Sequence, residues 1–312
     1  MSGINAQAIK ELRERTQAGM SDCKSALVEA EGDMEKAVEI ILKKGLAKSA
    51  KRAGAVATEG EVRAIVSSDL RSATIVEVNI QTDFAARNDQ FREFVGEVLA
   101  VAKNAPVGSD IGTLALRGKT VNDIATELTA KIGEKVAVRR WDRLEVPEGS
   151  AGAAHAYVHL GGKIGVVLVV KTDSEATKNH DEVIKFIDDT AMQIAAMNPL
   201  ALVRDDISDE LKVKQKEIFE GQLREDPKPK PESAWPKIIE GKYNKWFSEV
   251  ALLEQESVVV PGQTIDKLRQ AAEKASGGKV EILRFVRYER GEGVVKPQGP
   301  DFASEVAKMA GG

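Results

Sequence analysis

An internal repeat constrains the fold most, because one unit of strand, strand, helix and strand occurs twice along the chain. The first copy runs Arg63-Ala64-Ile65-Val66, then Ile75-Val76-Glu77-Val78, then Gln81-Thr82-Asp83-Phe84, then a helix ending at Asn104-Ala105-Pro106. The second runs His155-Ala156-Tyr157-Val158, then Val166-Val167-Leu168-Val169, then Lys171-Thr172-Asp173-Ser174, then a helix ending at Met197-Asn198-Pro199. β-Branched runs separated by polar turns predict antiparallel hairpins. A helix after each hairpin covers one face of its sheet, so two copies predict two α+β lobes. In this pairing threonine and aspartate recur, while phenylalanine becomes serine. A ring needed for packing the unit would be needed in both copies. Its single occurrence in a loop between strand and helix points to a task outside the unit.

The repeat occupies the middle of a longer plan. Residues 1–55 predict a docking bundle of three short helices and a basic linker, with Asn5, Ser21 and Asp33 as caps and Gly19, Gly32 and Gly45 as stops. Residues 56–146 predict the first lobe, with a helix from about Asp89 and another after Thr120, where Asp123 completes an approximate capping box and Gly133 closes it, and 147–206 with 249–290 predict the second. Into the second lobe, 207–248 insert a helical hairpin: Ser208 starts one helix, Asp226 to Pro231 break it, and another resumes near Pro236. Residues 291–312 close the chain with a helix-bearing module. The basic stretch Lys48-Ser49-Ala50-Lys51-Arg52 has no interleaved aromatics, so a solvated helix extension or linker describes it better than an RNA contact.

Composition narrows the function. Forty-five Lys and Arg against 49 Asp and Glu leave a net charge of −4, which provides no general attraction to nucleic acid. The single cysteine, Cys23, cannot form an internal disulfide and no apolar signal segment opens the chain, so a cytoplasmic setting is expected. Enzyme chemistry finds little to work with. Gly118-Lys119-Thr120 lacks a glycine at the spacing a phosphate loop requires. His155 and His159 on one strand would stand roughly 13 Å apart, too far to hold one ion. His180 is isolated, and Cys23 falls at a core-like helical position. Asp83 and Asp173 suggest local turn or cap bonds rather than paired acids. No catalytic role, cofactor or metal is expected.

The stretch Leu12-Arg13-Glu14-Arg15-Thr16-Gln17-Ala18-Gly19-Met20-Ser21-Asp22-Cys23-Lys24-Ser25-Ala26-Leu27 closely resembles the amino-terminal signature of the bacterial translation elongation factor Ts family. So does the loop Thr82-Asp83-Phe84. Tyr157-Val158-His159, Gly162-Lys163-Ile164-Gly165-Val166, Gly291-Glu292-Gly293 and Asp301-Phe302-Ala303-Ser304-Glu305-Val306-Ala307 extend the likeness over essentially the whole chain.

The resemblance implies a guanine-nucleotide exchange factor that binds elongation factor Tu, a GTPase, and speeds its release of GDP. It implies that Thr82, Asp83, Phe84 and Ala85 form a tip that enters the partner's nucleotide domain and disturbs its magnesium site. It likewise implies docking by Met20, Ser21 and Lys24, and contact of His159 with a distal domain of the partner. Val258, Val259 and the helical stripe of Phe302, Val306 and Met309 are further implied contacts. Each has a plainer alternative: a turn with a solvated lysine, a half-exposed strand histidine, or a stripe packing on its own core. Two positions depart from the family: Gln17 stands where glycine is usual, and Ala85 where a larger aliphatic also occurs. In some members the helical hairpin mediates self-association, so a homodimer is an option here. The amino-terminal bundle also resembles ubiquitin-associated folds, which keeps open an adaptor that binds without accelerating exchange.

Overall fold

The computed structural model describes residues 5–295 other than Gln17, Ala53 and Pro229. Three helices come first: α1 (Ala6–Thr16), α2 (Met20–Glu29) and α3 (Met34–Arg52). Asn5 caps α1 as expected, its Oδ1 accepting the Ala8 amide at 2.7 Å, and Asp33 caps α3 through the Lys36 amide at 3.1 Å. Ser21 does not cap α2. The helix begins at Met20, extended Gly19 takes the N-cap position without a side-chain bond, and Ser21 lies inside the first turn. Leu12, Cys23, Ala26, Leu27, Ala37 and Ile41 form the buried centre of the bundle.

The first sheet has the order β1 (Glu59–Val66), β2 (Ser72–Ile80), β5 (Ala137–Glu145), all antiparallel. Between β2 and β5 come a one-turn helix α4 (Asp83–Ala86), the long α5 (Asp89–Asn104), the small ribbon β3 (Ala115–Leu116) and β4 (Lys119–Thr120), and α6 (Val121–Ile132). The predicted capping box of α6 is present, Thr120 with Asp123, and left-handed Gly133 ends the helix. The second sheet repeats the plan with β6 (Ala151–His159), β7 (Ile164–Thr172) and, at its far edge, β8 (Val280–Glu289). Its helices are the one-turn α7 (Glu175–Lys178), α8 (Asp181–Met197) and α11 (Ile265–Ser276), with α9 (Asp209–Arg224) and α10 (Trp235–Val250) inserted between α8 and α11. The fold is α+β, and each lobe has a second long helix before its last strand: α6 in the first and α11 in the second.

Both central strands are buried on both sides. Even-numbered Val76, Val78 and Ile80 of β2 pack under α5 and α6, while Ala73 and Ile75 face the other way. In β7, Val166, Leu168 and Val170 pack under α8 and α11, while Val167 and Val169 turn to meet Val62, Ile75 and Leu144 of the first sheet. The period-2 alternation therefore feeds two cores at once, and the layers are helices, sheet, sheet, helices. Gly165 permits the close approach, since a Cβ there would come within 2.5 Å of Val62.

The inserted hairpin has its own small core of Phe219, Leu223 and Ile239, with Trp235, Tyr243 and Trp246 half-buried on it. It joins the second lobe through an Ala201–Ala251 bridge and a bidentate Arg204–Glu254 pair at 2.7 and 2.5 Å.

Gly45, expected as a helix stop, instead lies within α3. A Cβ at Gly45 would stand 3.0 Å from that of Ala130, so the glycine lets α3 press against α6 and ties the bundle to the first lobe. Gly45→Val is therefore expected to lower stability by about 1–3 kcal/mol through overpacking. Urea unfolding measures it, and an unchanged midpoint would mean that the two helices do not pack in solution. Among the described residues, no helix is long and apolar enough to cross a membrane.

Candidate functional site

The loop after β2 is built around α4. Thr82 has extended backbone, and its hydroxyl accepts the Ala85 amide at 3.2 Å, closing the single turn. Asn88 then caps α5 by accepting the Gln90 and Phe91 amides at 2.9 and 3.4 Å. Ala85 and Ala86 pack against the core beneath, while Phe84 on the opposite side is 80% exposed. Asp83 makes one exposed ion pair with Arg87 at 3.2 Å.

The second lobe shows what the loop looks like without the ring, and corrects the pairing read from the sequence. Gly60 and Gly152, both at positive φ and both pressed on a neighbouring strand, are equivalent, and so are the α5 and α8 caps Asn88 and His180. Each pair is 92 residues apart. At that offset Thr82 matches Ser174, the cap of α7, and Phe84 matches exposed Ala176 rather than Ser174. Thr-Asp identity sets the pairing two residues out of step, whereas the structure keeps the cap and the bend. The contrast is preserved: the same exposed helical position carries a benzyl group in one copy and a methyl in the other.

The other candidate residues occupy separate surfaces. Met20 is 49% exposed, and Ser21 and Lys24 are exposed beside it on the first turns of α2. His159 ends β6, exposed, with its Nδ1 2.8 Å from the Tyr157 hydroxyl and the two rings stacked at 5.8 Å. The turn that follows it packs on β1, where the Val62 amide donates to the Gly162 carbonyl at 2.8 Å. Val258 and Val259 are 47% and 41% exposed on the loop before α11. Phe302, Val306 and Met309, like Gln17, lie outside the described residues.

A family model described as Elongation factor TS matches residues 81–292. The Elongation factor Ts of Clostridium perfringens is 45% identical over 311 residues, 99% of this chain and 99% of its own length. The chain belongs to the elongation factor Ts family. The Elongation factor Ts of Nitratiruptor sp. is 43% identical over 307 residues, covering 97% of this chain and 98% of the relative, and that of Clostridium kluyveri 42% over 315 residues, covering 99% of each.

In this member of the elongation factor Ts family, the residues weighed for enzyme chemistry have structural partners. Thr120 is spent on its capping box and Lys119 pairs with Glu127. His180 caps α8 through the Glu182 amide at 3.2 Å, and His155 lies 3.3 Å from Asp188. Burial pushes the His155 imidazole below its ordinary value, against the pull of Asp188. Cys23 is fully buried.

Two supports of the candidate surfaces escaped the sequence. Glu134, just past Gly133, binds Thr82 at the root of the Phe84 turn. Buried Gln193 reaches the valine loop from α8: its amide nitrogen donates to Gln255 Oε1 at 3.0 Å and the Glu256 carbonyl at 3.1 Å, and its Oε1 accepts the Val258 amide at 2.8 Å. For Gln193 the available signal was a polar residue inside an amphipathic helix, whereas Glu134 follows its helix and gave none. The partners lie 52 positions from Glu134 and 62 or more from Gln193, where no local spacing reveals them.

Proposed function

We propose that the chain is a guanine-nucleotide exchange factor for elongation factor Tu, acting in the cytoplasm, and that Phe84 and Asp83 are its working tip. Family membership supports the exchange role. The observation that carries the tip assignment is Phe84, 80% exposed on a turn whose equivalent in the second lobe carries only alanine. A benzyl group kept in water gives up about 1.5–3 kcal/mol of burial that a partner's pocket can supply.

In this mechanism the ring enters the partner's nucleotide domain and shifts groups that hold magnesium against the phosphates. The exposed Asp83–Arg87 pair contributes little to the fold, so Asp83 is free to exchange its partner on docking. Magnesium is among the largest local charges in such a site, and loosening it weakens the hold on GDP. Linkage requires the converse as well: a factor that binds nucleotide-free partner more tightly loses affinity for the GDP-bound form by the same ratio. Met20, Ser21 and Lys24 dock on the nucleotide domain, His159 meets a distal domain, and Val258, Val259 and the stripe of Phe302, Val306 and Met309 add contacts. No bond is made or broken by the chain itself.

The test loads elongation factor Tu with fluorescent GDP, chases with unlabelled GDP, and adds this chain in substoichiometric amount. Release is expected to accelerate by at least about tenfold, within the range typical of coupling between two sites. A stable complex with unchanged release would support the adaptor alternative instead.

A further inference from the structure

A single helical turn does not hold its own conformation in water, because it fixes several dihedrals for one hydrogen bond. The turn bearing Phe84 therefore takes its pose from its surroundings, and the main polar support is Glu134. Its carboxylate accepts the Thr82 amide at 2.9 Å and the Thr82 hydroxyl, shared between both oxygens, at 2.9 and 3.0 Å. That hydroxyl in turn accepts the Ala85 amide, so the proton given to Glu134 sets the orientation in which Thr82 caps α4. Beside it, Gln81 Oε1 accepts the Lys135 amide at 2.8 Å and an Arg52 N–H at 3.4 Å. The ends of α3 and α6 thus converge on the residues from which the ring departs.

The second lobe lacks this clamp. Gly277 ends α11 as Gly133 ends α6, so the counterpart of Glu134 is Gly278. A Cβ at Gly278 would fall 2.0 Å from the Thr177 hydroxyl and 2.5 Å from Asp173, whose carboxylate accepts that hydroxyl within the loop at 2.7 Å while its backbone amide meets the Lys279 carbonyl at 3.3 Å. A carboxylate anchored from outside the loop occurs in the copy that has a ring to aim.

We propose that Glu134 is a positioning residue for exchange: it holds α4 in the pose that projects Phe84 toward the partner. This rests on the tip assignment above, and the experiment separates the two. Glu134→Ala and Glu134→Gln are made in the full chain and in a Phe84→Ala background. In the free chain, amide hydrogens of residues 82–88 are expected to exchange at least about tenfold faster in Glu134→Ala, with overall unfolding little changed. Stimulated GDP release should fall about tenfold in Glu134→Ala, as expected when a contacting group is misplaced, and less in Glu134→Gln, whose amide oxygen keeps one acceptor. In the Phe84→Ala background the residual stimulation should not fall further when Glu134 is also replaced.

Unchanged loop exchange overturns the proposal, and so does an equal loss of release in both backgrounds, which would place the action of Glu134 outside the ring. If Phe84→Ala itself leaves release intact, the tip assignment fails, and loop exchange alone then decides whether Glu134 holds the turn. Should Glu134→Ala not fold, Glu134→Gln carries the same measurements.

Discussion

Replacing Phe84 by alanine is expected to cut stimulated GDP release from elongation factor Tu by about ten- to a hundredfold, the loss typical when a central aromatic anchor is truncated. The same substitution should leave thermal unfolding within about 0.5 kcal/mol of the parent, because a side chain 80% exposed contributes little to folding. Alanine is also a better helix former than phenylalanine, so the turn itself is not weakened. Paired release kinetics and thermal melts check both halves. Full stimulation by the variant would remove the ring from the mechanism, whereas a loss of release together with a collapse in stability would make its role structural.

Glu77→Ala is expected to destabilise the fold by about 3 kcal/mol, the low end for breaking a buried ion pair, because the arginines it abandons retain some water. Glu77 is fully buried between the two sheets, where its carboxylate accepts Arg139 at 2.9 Å, Arg140 at 2.5 Å and the Gly291 amide at 2.8 Å. Arg140 also reaches the Glu289 carbonyl at 3.1 Å, so one carboxylate joins the last strands of both lobes. Burial alone would raise the Glu77 pKa, but the Gly291 amide and the two guanidiniums outweigh it and hold it below its ordinary value. The unfolded chain therefore binds this proton more readily than the folded one. The contribution is fully present above the ordinary glutamate pKa of about 4.3 and is lost as pH falls below it. Urea unfolding followed from neutral pH to below about pH 3 should show a steeper acid loss in the parent than in Glu77→Ala, with the difference opening below the ordinary glutamate pKa. Parallel curves would deny Glu77 that role.

Much of the candidate site was legible because its signals are local. Asn5, Asp33, Thr120 with Asp123, and Ser208 cap helices through bonds three residues along, so spacing alone exposes them. Phe84 was legible as an aromatic residue present in one copy of a repeat and missing from the other. Where local signals misled, either a tertiary contact or a different local geometry had displaced them. Gly45 looked like a stop because glycine commonly ends helices, yet its missing side chain is used for a helix crossing. Ser21 looked like a cap, but Gly19 already starts the helix in extended geometry. The repeat was read two residues out of step because identical letters were followed where equivalent backbone bends carry the register.

By itself the sequence determined the helices and most strands, the α+β class, the family and the candidate ring, since periods of 2 and 3.6 and caps three residues apart are written in neighbouring positions. Only the tertiary structure decided that the two sheets lie back to back, that Glu134 grips Thr82 across 52 positions and that Glu77 grips Gly291 across 214. The physical reason is that a carboxylate taken wholly or partly out of water must find donors wherever the folded chain brings them, and such partners leave no spacing in the sequence to be read.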